Sequence, residues 1–285
     1  MEIIHHIPAL RAQVAKWRAA GARVGFVPTM GYLHTGHGSL IEQAKKENDH
    51  VVVSIFVNPT QFGVNEDLAT YPRDLEGDTA LCEQLGVSVI FYPTETEMYP
   101  QGREVAVSIG LPSLSQYLCG KSRPTHFNGV CLVVLKLFNM VQPHRAYFGK
   151  KDYQQYKIIQ TMVQALNLDL EIIGCDIIRE ASGLALSSRN SYLSEAEKTQ
   201  ALVLWESLNL AQQCLNEGER EVANILKAIT ALIETKPLAR IDYVSFVDEE
   251  TLTPVTTLEK PVLLALAVFI GKTRLIDNRV FGGNK

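Results

Sequence analysis

Two histidines, His34 and His37, stand where an apolar run gives way to a helical pattern. The run at 24–28 predicts a buried strand stopped by proline, and the apolar spacing at 38–46 predicts a helix. A helix N-terminus has unpaired N–H groups and a positive dipole end, which attract phosphate. The pattern predicts a phosphate-binding loop with histidines as hydrogen-bond donors or as imidazolium. The alternative is a tight turn with two exposed histidines.

Polar residues follow a second predicted strand, at 50–57, which is apolar at consecutive positions, as in a parallel strand covered on both faces. Asn58 and Gln61 come directly after it, at the sheet edge where open α/β sheets bind ligands. Their amides suit a small polar substrate. The alternative for the Asn-Pro step is an ordinary turn.

Two cationic segments occur later in the chain. Lys150 and Lys151 follow a predicted strand at 145–148 and could neutralise phosphates, or they could belong to a solvated surface. The run Ser187-Ser188-Arg189 can donate several hydrogen bonds to phosphate oxygens, or it could be a polar loop between domains.

The order of predicted elements indicates the fold. Strands alternate with helices over the first 175 residues, after which two helices precede strands at 241–247, 262–270 and 273–276. We expect an α/β protein with a Rossmann-like doubly wound parallel sheet in domain 1–176 and a smaller α+β domain at 177–285. The G-x-G-x-x-G fingerprint is absent after the first strand, which disfavours dinucleotide-dependent redox chemistry.

Composition excludes several classes of protein. The 285 residues are 46% hydrophobic and 20% charged, as in globular domains, and the net charge of −4 provides no basic field for nucleic acid. No apolar run approaches the ~18 residues of a membrane span, and no signal-peptide pattern is visible. The five scattered cysteines disfavour a zinc ribbon or disulfide framework. We therefore expect a cytoplasmic protein with small-molecule partners, and neither nucleic acid nor membrane.

The histidine pair and the distant Ser-Ser-Arg together resemble the nucleotidyltransferase superfamily of adenylate-forming enzymes, with its HxGH motif and KMSKS-like loop. More specifically, the chain resembles the pantoate–β-alanine ligase family from end to end. Many matching segments occur in the same order, which makes the resemblance specific. They are residues 26–31, 34–37, 51–59, 61–62, 71–73, 122–124, 126–127, 151–155, 186–190 and 275–278.

The resemblance implies ATP-dependent joining of (R)-pantoate to β-alanine through an enzyme-bound pantoyl adenylate, with release of pyrophosphate and AMP. This is the last step of pantothenate biosynthesis. The resemblance also implies ATP as co-substrate, Mg²⁺ bridging its phosphate oxygens, and a homodimer.

The resemblance further implies roles for individual residues. In catalysis these are His37, as proton donor to the departing phosphate, with His34, Lys151, Ser187, Ser188 and Arg189. In ATP binding they are Met30, Gly31, Tyr32, Leu33, His34, Thr35, Gly36, His37, Gly149, Lys150, Lys151, Asp152, Ile178, Leu186, Ser187, Ser188 and Arg189. For pantoate and β-alanine they are Thr29, Asn58, Gln61 and Gln155, and Asp78 is the candidate metal ligand.

Three positions depart from the family pattern. Gly77 replaces an acidic residue, Lys150 a glutamate and Asn128 an arginine. Two other functions stay open. A nucleotidyltransferase acting on a phosphate ester would need cations around its acceptor, whereas Gln61 and Gln155 suit a neutral hydroxy acid. A non-catalytic nucleotide-binding module would not need both the histidines and the Ser-Ser-Arg run.

Overall fold

Six strands from the N-terminal part of the chain pair in parallel, in a computed structural model that describes residues 1–64, 66–103 and 107–282. They are β1 (Glu2–Ile4), β2 (Val24–Thr29), β3 (His50–Ile55), β4 (Val89–Phe91), β5 (Arg145–Gly149) and β6 (Glu171–Cys175). Their order in the sheet is β1-β4-β3-β2-β5-β6. The chain thus builds outward from β2 through β3 to β4, then returns to place β5 on the other side of β2. The strand order reverses between β2 and β5, which is where ligands of such sheets bind.

Within the described residues, helices and three short 3₁₀ turns connect the strands. The turns are Pro59–Gln61, Lys150–Asp152 and Ser188–Tyr192. The helices are α1 (Ile7–Ala19), α2 (Thr35–Glu47), α3 (Leu75–Gln84), α4 (Glu95–Met98), α5 (Pro112–Ser115), α6 (Leu118–Ser122), α7 (His126–Val141), α8 (Tyr153–Ala165), α9 (Glu195–Ala201), α10 (Val203–Asn216) and α11 (Val222–Glu234). No helix within the described ranges has the length and hydrophobicity needed to cross a bilayer.

The chain divides into two compact units. The first consists of Met1–Leu111, Arg123–Lys150 and Gln155–Asp176, and contains the parallel sheet. The second consists of Pro112–Ser122, Lys151–Gln154 and Ile177–Lys285. Two short segments expected in domain 1–176 are thus grouped with the later part of the chain. That residues 177–285 form a domain of their own stays a prediction.

The second unit is built on a three-stranded antiparallel sheet. Its strands are β7 (Ala239–Asp248), β8 (Val262–Ile270) and β9 (Thr273–Phe281), with β8 in the centre. Alternate residues Leu264, Leu266 and Val268 are fully buried in one cluster with residues of α10 and α11, including Leu208 and Ile229. The residues between them, Leu263, Ala265 and Ala267, are buried as well, so both faces of β8 are covered.

The expected fold class is confirmed, and several elements differ from the prediction. β2 continues through Pro28 to Thr29, although a stop at the proline was expected. The three-residue β1 was not predicted. The first of the two helices predicted before residue 241 is in fact two helices, α9 and α10, because the chain turns at Leu202. The last strand was expected to end at 276 but continues to Phe281. The charged residues Asp277 and Arg279 interrupt the apolar pattern, so the sequence does not predict this extension. Both residues nevertheless pair in register with β8.

Candidate active site

The turn from β2 to α2 has an unusual backbone conformation. Thr29 Oγ1 donates to the main-chain oxygen of Ser54 at 2.7 Å and accepts the N–H of Gly31 at 3.1 Å. Gly31 has φ 81° and Tyr32 has φ 49°, in the left-handed region that residues other than glycine seldom adopt. Such a turn persists only where surrounding contacts hold it.

Asp78, near the start of α3, supplies those contacts. Its two carboxylate oxygens accept the N–H of Tyr32 at 2.9 Å and the N–H of Leu33 at 2.6 Å. The residue is 3% exposed, and burial raises the pKa of Asp78, although the two N–H groups lower it. A methyl group on Gly31 would lie 2.9 Å from Oδ2 of Asp78 and 2.8 Å from Cγ2 of Ile55. Glycine is therefore needed for the carboxylate to approach the turn.

This geometry gives Asp78 a structural contact, while its expected metal role stays a prediction. Both of its oxygens face N–H donors, which is the surrounding of a structural carboxylate. Across the described ranges, His, Cys, Asp and Glu side chains form no group of three or more that could hold a metal ion. Among the described residues, a magnesium ion would therefore depend mainly on phosphate oxygens for its ligands.

His34 and His37 cap α2 reciprocally. Nδ1 of His34 accepts the N–H of Gly36 at 3.1 Å, and Nδ1 of His37 accepts the N–H of His34 at 3.3 Å. The ring centroids are 4.1 Å apart. Because each Nδ1 accepts a hydrogen bond, we infer that each neutral ring carries its proton on Nε2. In that tautomer each ring can donate a hydrogen bond through Nε2–H.

Asn58 and Gln61 follow β3 but differ in their surroundings. Asn58 is 1% exposed, and its Oδ1 accepts from the Tyr99 hydroxyl at 2.7 Å and the Thr60 hydroxyl at 3.0 Å. Its Nδ2 donates to Oε1 of Gln61 at 3.1 Å, and Nε2 of Gln61 lies 3.2 Å from Sδ of Met30. Both polar atoms of the Asn58 amide are therefore hydrogen-bonded to other protein groups, and one of these hydrogen bonds orients the side chain of Gln61.

The main chain at Gln61 is fixed by residues that the site prediction left out. Nδ1 of His126 donates to the Gln61 oxygen at 2.8 Å, and Nη2 of Arg123 approaches the same oxygen at 3.4 Å. Arg123 is itself paired with Glu66 at 2.5 Å. The family-like segments at 122–124 and 126–127 were the sequence signal that could have identified them.

β5 adjoins β2 in the sheet, with its first two residues, Arg145 and Ala146, opposite Gly25 and Phe26. Gly149 ends the strand, and Lys150 follows with its Nζ 3.1 Å from the carboxylate of Asp176. Both side chains of this ion pair are exposed, so the pair contributes little to stability, and the phosphate-binding role of Lys150 stays a prediction. Gln155 lies half-buried on α8.

In the second unit, the segment leading to the Ser-Ser-Arg run is a short hairpin. The Leu186 N–H donates to the Ile178 oxygen at 3.0 Å, and the Ile178 side chain is 38% exposed. Ser187 Oγ accepts the N–H of Arg189 at 3.3 Å and so begins the 3₁₀ turn, in which Ser188 is buried. The Ser187 hydroxyl keeps its own proton for donation.

The predicted residues thus divide between the two units. The first unit brings together residues 29–37, Asn58, Gln61 and Asp78, with Gly149, Lys150 and Gln155 on adjoining elements. The second unit carries Lys151, Asp152, Ile178 and 186–189, with Nζ of Lys151 2.9 Å from the Asp152 carboxylate. The catalytic and binding roles of these residues stay predictions.

Comparison with known proteins decides the family. A family model described as pantoate-beta-alanine ligase matches residues 2–280. The chain belongs to the pantoate-β-alanine ligase family. It is 54% identical over 281 residues to pantothenate synthetase of Enterococcus faecalis and 50% identical over 281 residues to that of Clostridium botulinum, with 99% of both chains covered in each case. The resemblance predicted from the motifs is confirmed.

Solved structures of pantoate-β-alanine ligases share the fold. Pantothenate synthetase of Thermus thermophilus matches with a TM-score of 0.92 at 43% identity, covering 98% of this chain and 99% of that one. The Francisella tularensis ligase, solved with beta-gamma ATP and beta-alanine, matches with a TM-score of 0.80 at 36% identity, covering 98% and 97%.

Two further departures of this pantoate-β-alanine ligase from its family pattern have local partners. The Gly77 N–H donates to Asp74 Oδ1 at 3.0 Å, and a methyl group on Gly77 would overlap that carboxylate. Asn128 is exposed on α7, and a methyl group on Gly110 would lie 2.6 Å from its Oδ1. Gly77 leaves room for the carboxylate of Asp74, and Gly110 leaves room for the side chain of Asn128.

Proposed function

We propose that this chain condenses (R)-pantoate with β-alanine, using ATP, to give pantothenate, AMP and pyrophosphate. Membership of the ligase family supports the proposal. The observation that carries it is the pair of histidines, His34 and His37, that cap the start of α2 reciprocally. This turn begins beyond the carboxyl end of β2, beside the reversal of strand order, where an anion meets both helix amides and Nε2–H donors.

In the first step, a pantoate carboxylate oxygen bonds to the α-phosphorus of ATP while the bond to pyrophosphate breaks. The product is pantoyl adenylate, in which the carboxyl carbon has gained a good leaving group. Charge grows on the phosphoryl oxygens and on pyrophosphate, so the protein acts by positioning and by stabilising that charge. Nε2–H of His37 is the proposed donor to the departing phosphate, and His34 is the second donor.

Other residues bind the reactants. Lys151 and Ser187-Ser188-Arg189 supply cations and hydrogen bonds to phosphates, with the rest of the nucleotide held by 30–36, 149–152, Ile178 and Leu186. Gln61 and Gln155 hold pantoate, and Gln61 also lies near β-alanine. Thr29 and Asn58 support them from within the protein, because their polar atoms are already hydrogen-bonded.

In the second step, the amine of β-alanine attacks the adenylate carbonyl. The C–N bond forms, the C–O bond to AMP breaks, and the amine loses a proton. The protein provides no nucleophile of its own in this scheme, since both bonds form between substrates.

Magnesium enters the proposal as a companion of ATP, bound through phosphate oxygens, with no residue assigned as its ligand. The proposal also includes a homodimer and a cytoplasmic location. All five cysteines are free thiols, which suits a reducing compartment.

Replacing Gly129 by alanine is expected to raise the KM for pantoate about tenfold, with a smaller change for ATP. Alanine normally favours a helix, but here its methyl group would overlap the Thr60 oxygen and lie 2.7 Å from the Gln61 nitrogen. Gln61 must then shift. Steady-state kinetics measure the effect, with exposed Asn128→Ala in the same helix as control. Equal rises for both substrates would contradict this role.

Pantoate-dependent exchange of labelled pyrophosphate into ATP, with β-alanine left out, tests the function. We expect exchange, because adenylate formation is reversible. Exchange that appears only with β-alanine would contradict the separate first step and indicate that the amine binds first. No ATP consumption under either condition would indicate another nucleotidyltransferase or a nucleotide-binding module.

A further inference from the structure

Two buried polar residues stand next to each other in β9 and have no part in the proposed chemistry. Asp277 is 2% exposed and Asn278 is 7% exposed. Burying such side chains is unfavourable unless they are hydrogen-bonded, so their partners indicate their role. Successive side chains of a strand point to opposite faces of the sheet. The two residues accordingly contact different segments of the second unit.

Asn278 holds the main chain at Lys151. Its Nδ2 donates to the Lys151 main-chain oxygen at 2.8 Å. The same segment is held again at Gln154, whose Nε2 donates to two main-chain oxygens within 112–122, each at 2.8 Å. The backbone that carries the Lys151 ammonium is therefore attached to the second unit at two points.

Asp277 holds the hairpin that leads to 186–189. Its carboxylate oxygens accept from Nη1 and Nη2 of Arg179 at 2.6 and 2.8 Å. The Arg179 guanidinium lies over the ring of Trp205, with Cζ 4.3 Å from the centroid. The backbone of Arg179 also forms an antiparallel β-bridge with Ala185 across the hairpin. A forked pair combined with stacking fixes the guanidinium in position and orientation.

We propose that Asp277 and Asn278 are positioning residues that together set the spacing between Lys151 and the loop 186–189. The proposal rests on the proposed function, in which both segments bind the phosphates of ATP. Asp277 and Asn278 act through the backbone that they hold and not on the nucleotide. Two cationic groups fixed in advance need not be ordered when ATP binds, and they are ready to stabilise charge in the transition state.

The affinity for ATP, measured by calorimetry on the whole chain, tests the proposal in double-mutant cycles. Asn278→Ala is expected to weaken ATP binding about tenfold, and to add no further loss in a Lys151→Ala background. Asn278→Leu, which keeps the volume but not the donor, is expected to do the same. Asp277→Asn is expected to weaken binding, without adding to the loss in Arg189→Ala. Losses that multiply in the double variants would overturn the proposal.

Val280→Ala is the matched control, because Val280 lies two residues from Asn278 on the same face of β9. It is expected to change ATP affinity by less than about twofold, and a loss equal to that of Asn278→Ala would overturn the proposal. A wild-type chain that binds ATP but shows no pyrophosphate exchange would fail as a ligase, while the cycles would still decide the positioning roles. A wild-type chain that does not bind ATP would overturn both.

Discussion

Replacement of His37 by asparagine is expected to slow pantoate-dependent pyrophosphate exchange roughly 10²–10³-fold, with little change in the free energy of unfolding. The asparagine Oδ1 can accept the His34 N–H that Nδ1 of His37 accepts now, at 3.3 Å, so the helix cap survives. What is lost is the Nε2–H, the proposed donor to the departing phosphate. Exchange kinetics and urea unfolding of the same preparation measure the two effects separately.

His37→Ala is the matched comparison, because alanine removes both the donor and the cap. It is expected to lose as much activity as His37→Asn and about 1 kcal/mol of stability in addition. Wild-type exchange by a folded His37→Asn protein would remove His37 from the mechanism. Loss of activity only in the alanine variant would assign His37 to capping alone.

Replacement of Asp78 by asparagine is expected to weaken ATP binding and exchange roughly 10- to 100-fold. The carboxylate accepts from both Tyr32 and Leu33, whereas asparagine offers one oxygen and turns an NH₂ toward the other N–H. One buried donor is left without an acceptor, which costs about 1–3 kcal/mol. The left-handed conformation at Gly31 and Tyr32 then loses its support, and with it the position of the histidines.

Two comparisons make this prediction specific to Asp78. Glu76→Gln removes the same charge from an exposed position on the first turn of α3, and is expected to leave ATP binding unchanged. Titration with magnesium separates the two possible roles of Asp78. The Asp78→Asn defect should persist at high magnesium if Asp78 acts by holding the turn, whereas recovery at high magnesium would indicate a metal ligand.

The fold was predictable where its signal is local. β3 is apolar at successive positions and buried on both faces, so its pattern alone predicts a central parallel strand. β1 carries no such signal, because Ile3 is 37% exposed and Ile4 is its one buried residue. It forms a strand by pairing with β4, far along the chain.

The candidate site follows the same rule. The histidine pair and the Ser-Ser-Arg run are short motifs whose chemistry can be predicted from their residue types. The groups that hold them are distant in sequence: Asp78 lies 45 residues from Leu33, and Asn278 lies 127 residues from Lys151. Periodicity and spacing report neighbours along one element, so they could not distinguish a buried carboxylate that accepts N–H groups from a metal ligand.

The position of Asn278 in β9 has a consequence for the growing chain on the ribosome. Synthesis delivers the N-terminal part first, so the parallel sheet can be completed once β6 has emerged. The segment at Lys151 obtains its Asn278 hydrogen bond only after a further stretch that ends near the C-terminus. A nascent chain arrested before β9 could form the His34–His37 cap. It would lack the hydrogen bond from Asn278 that holds the main chain at Lys151. Under the proposed positioning role of Asn278, we expect tight binding of ATP only after β9 has been synthesised and paired.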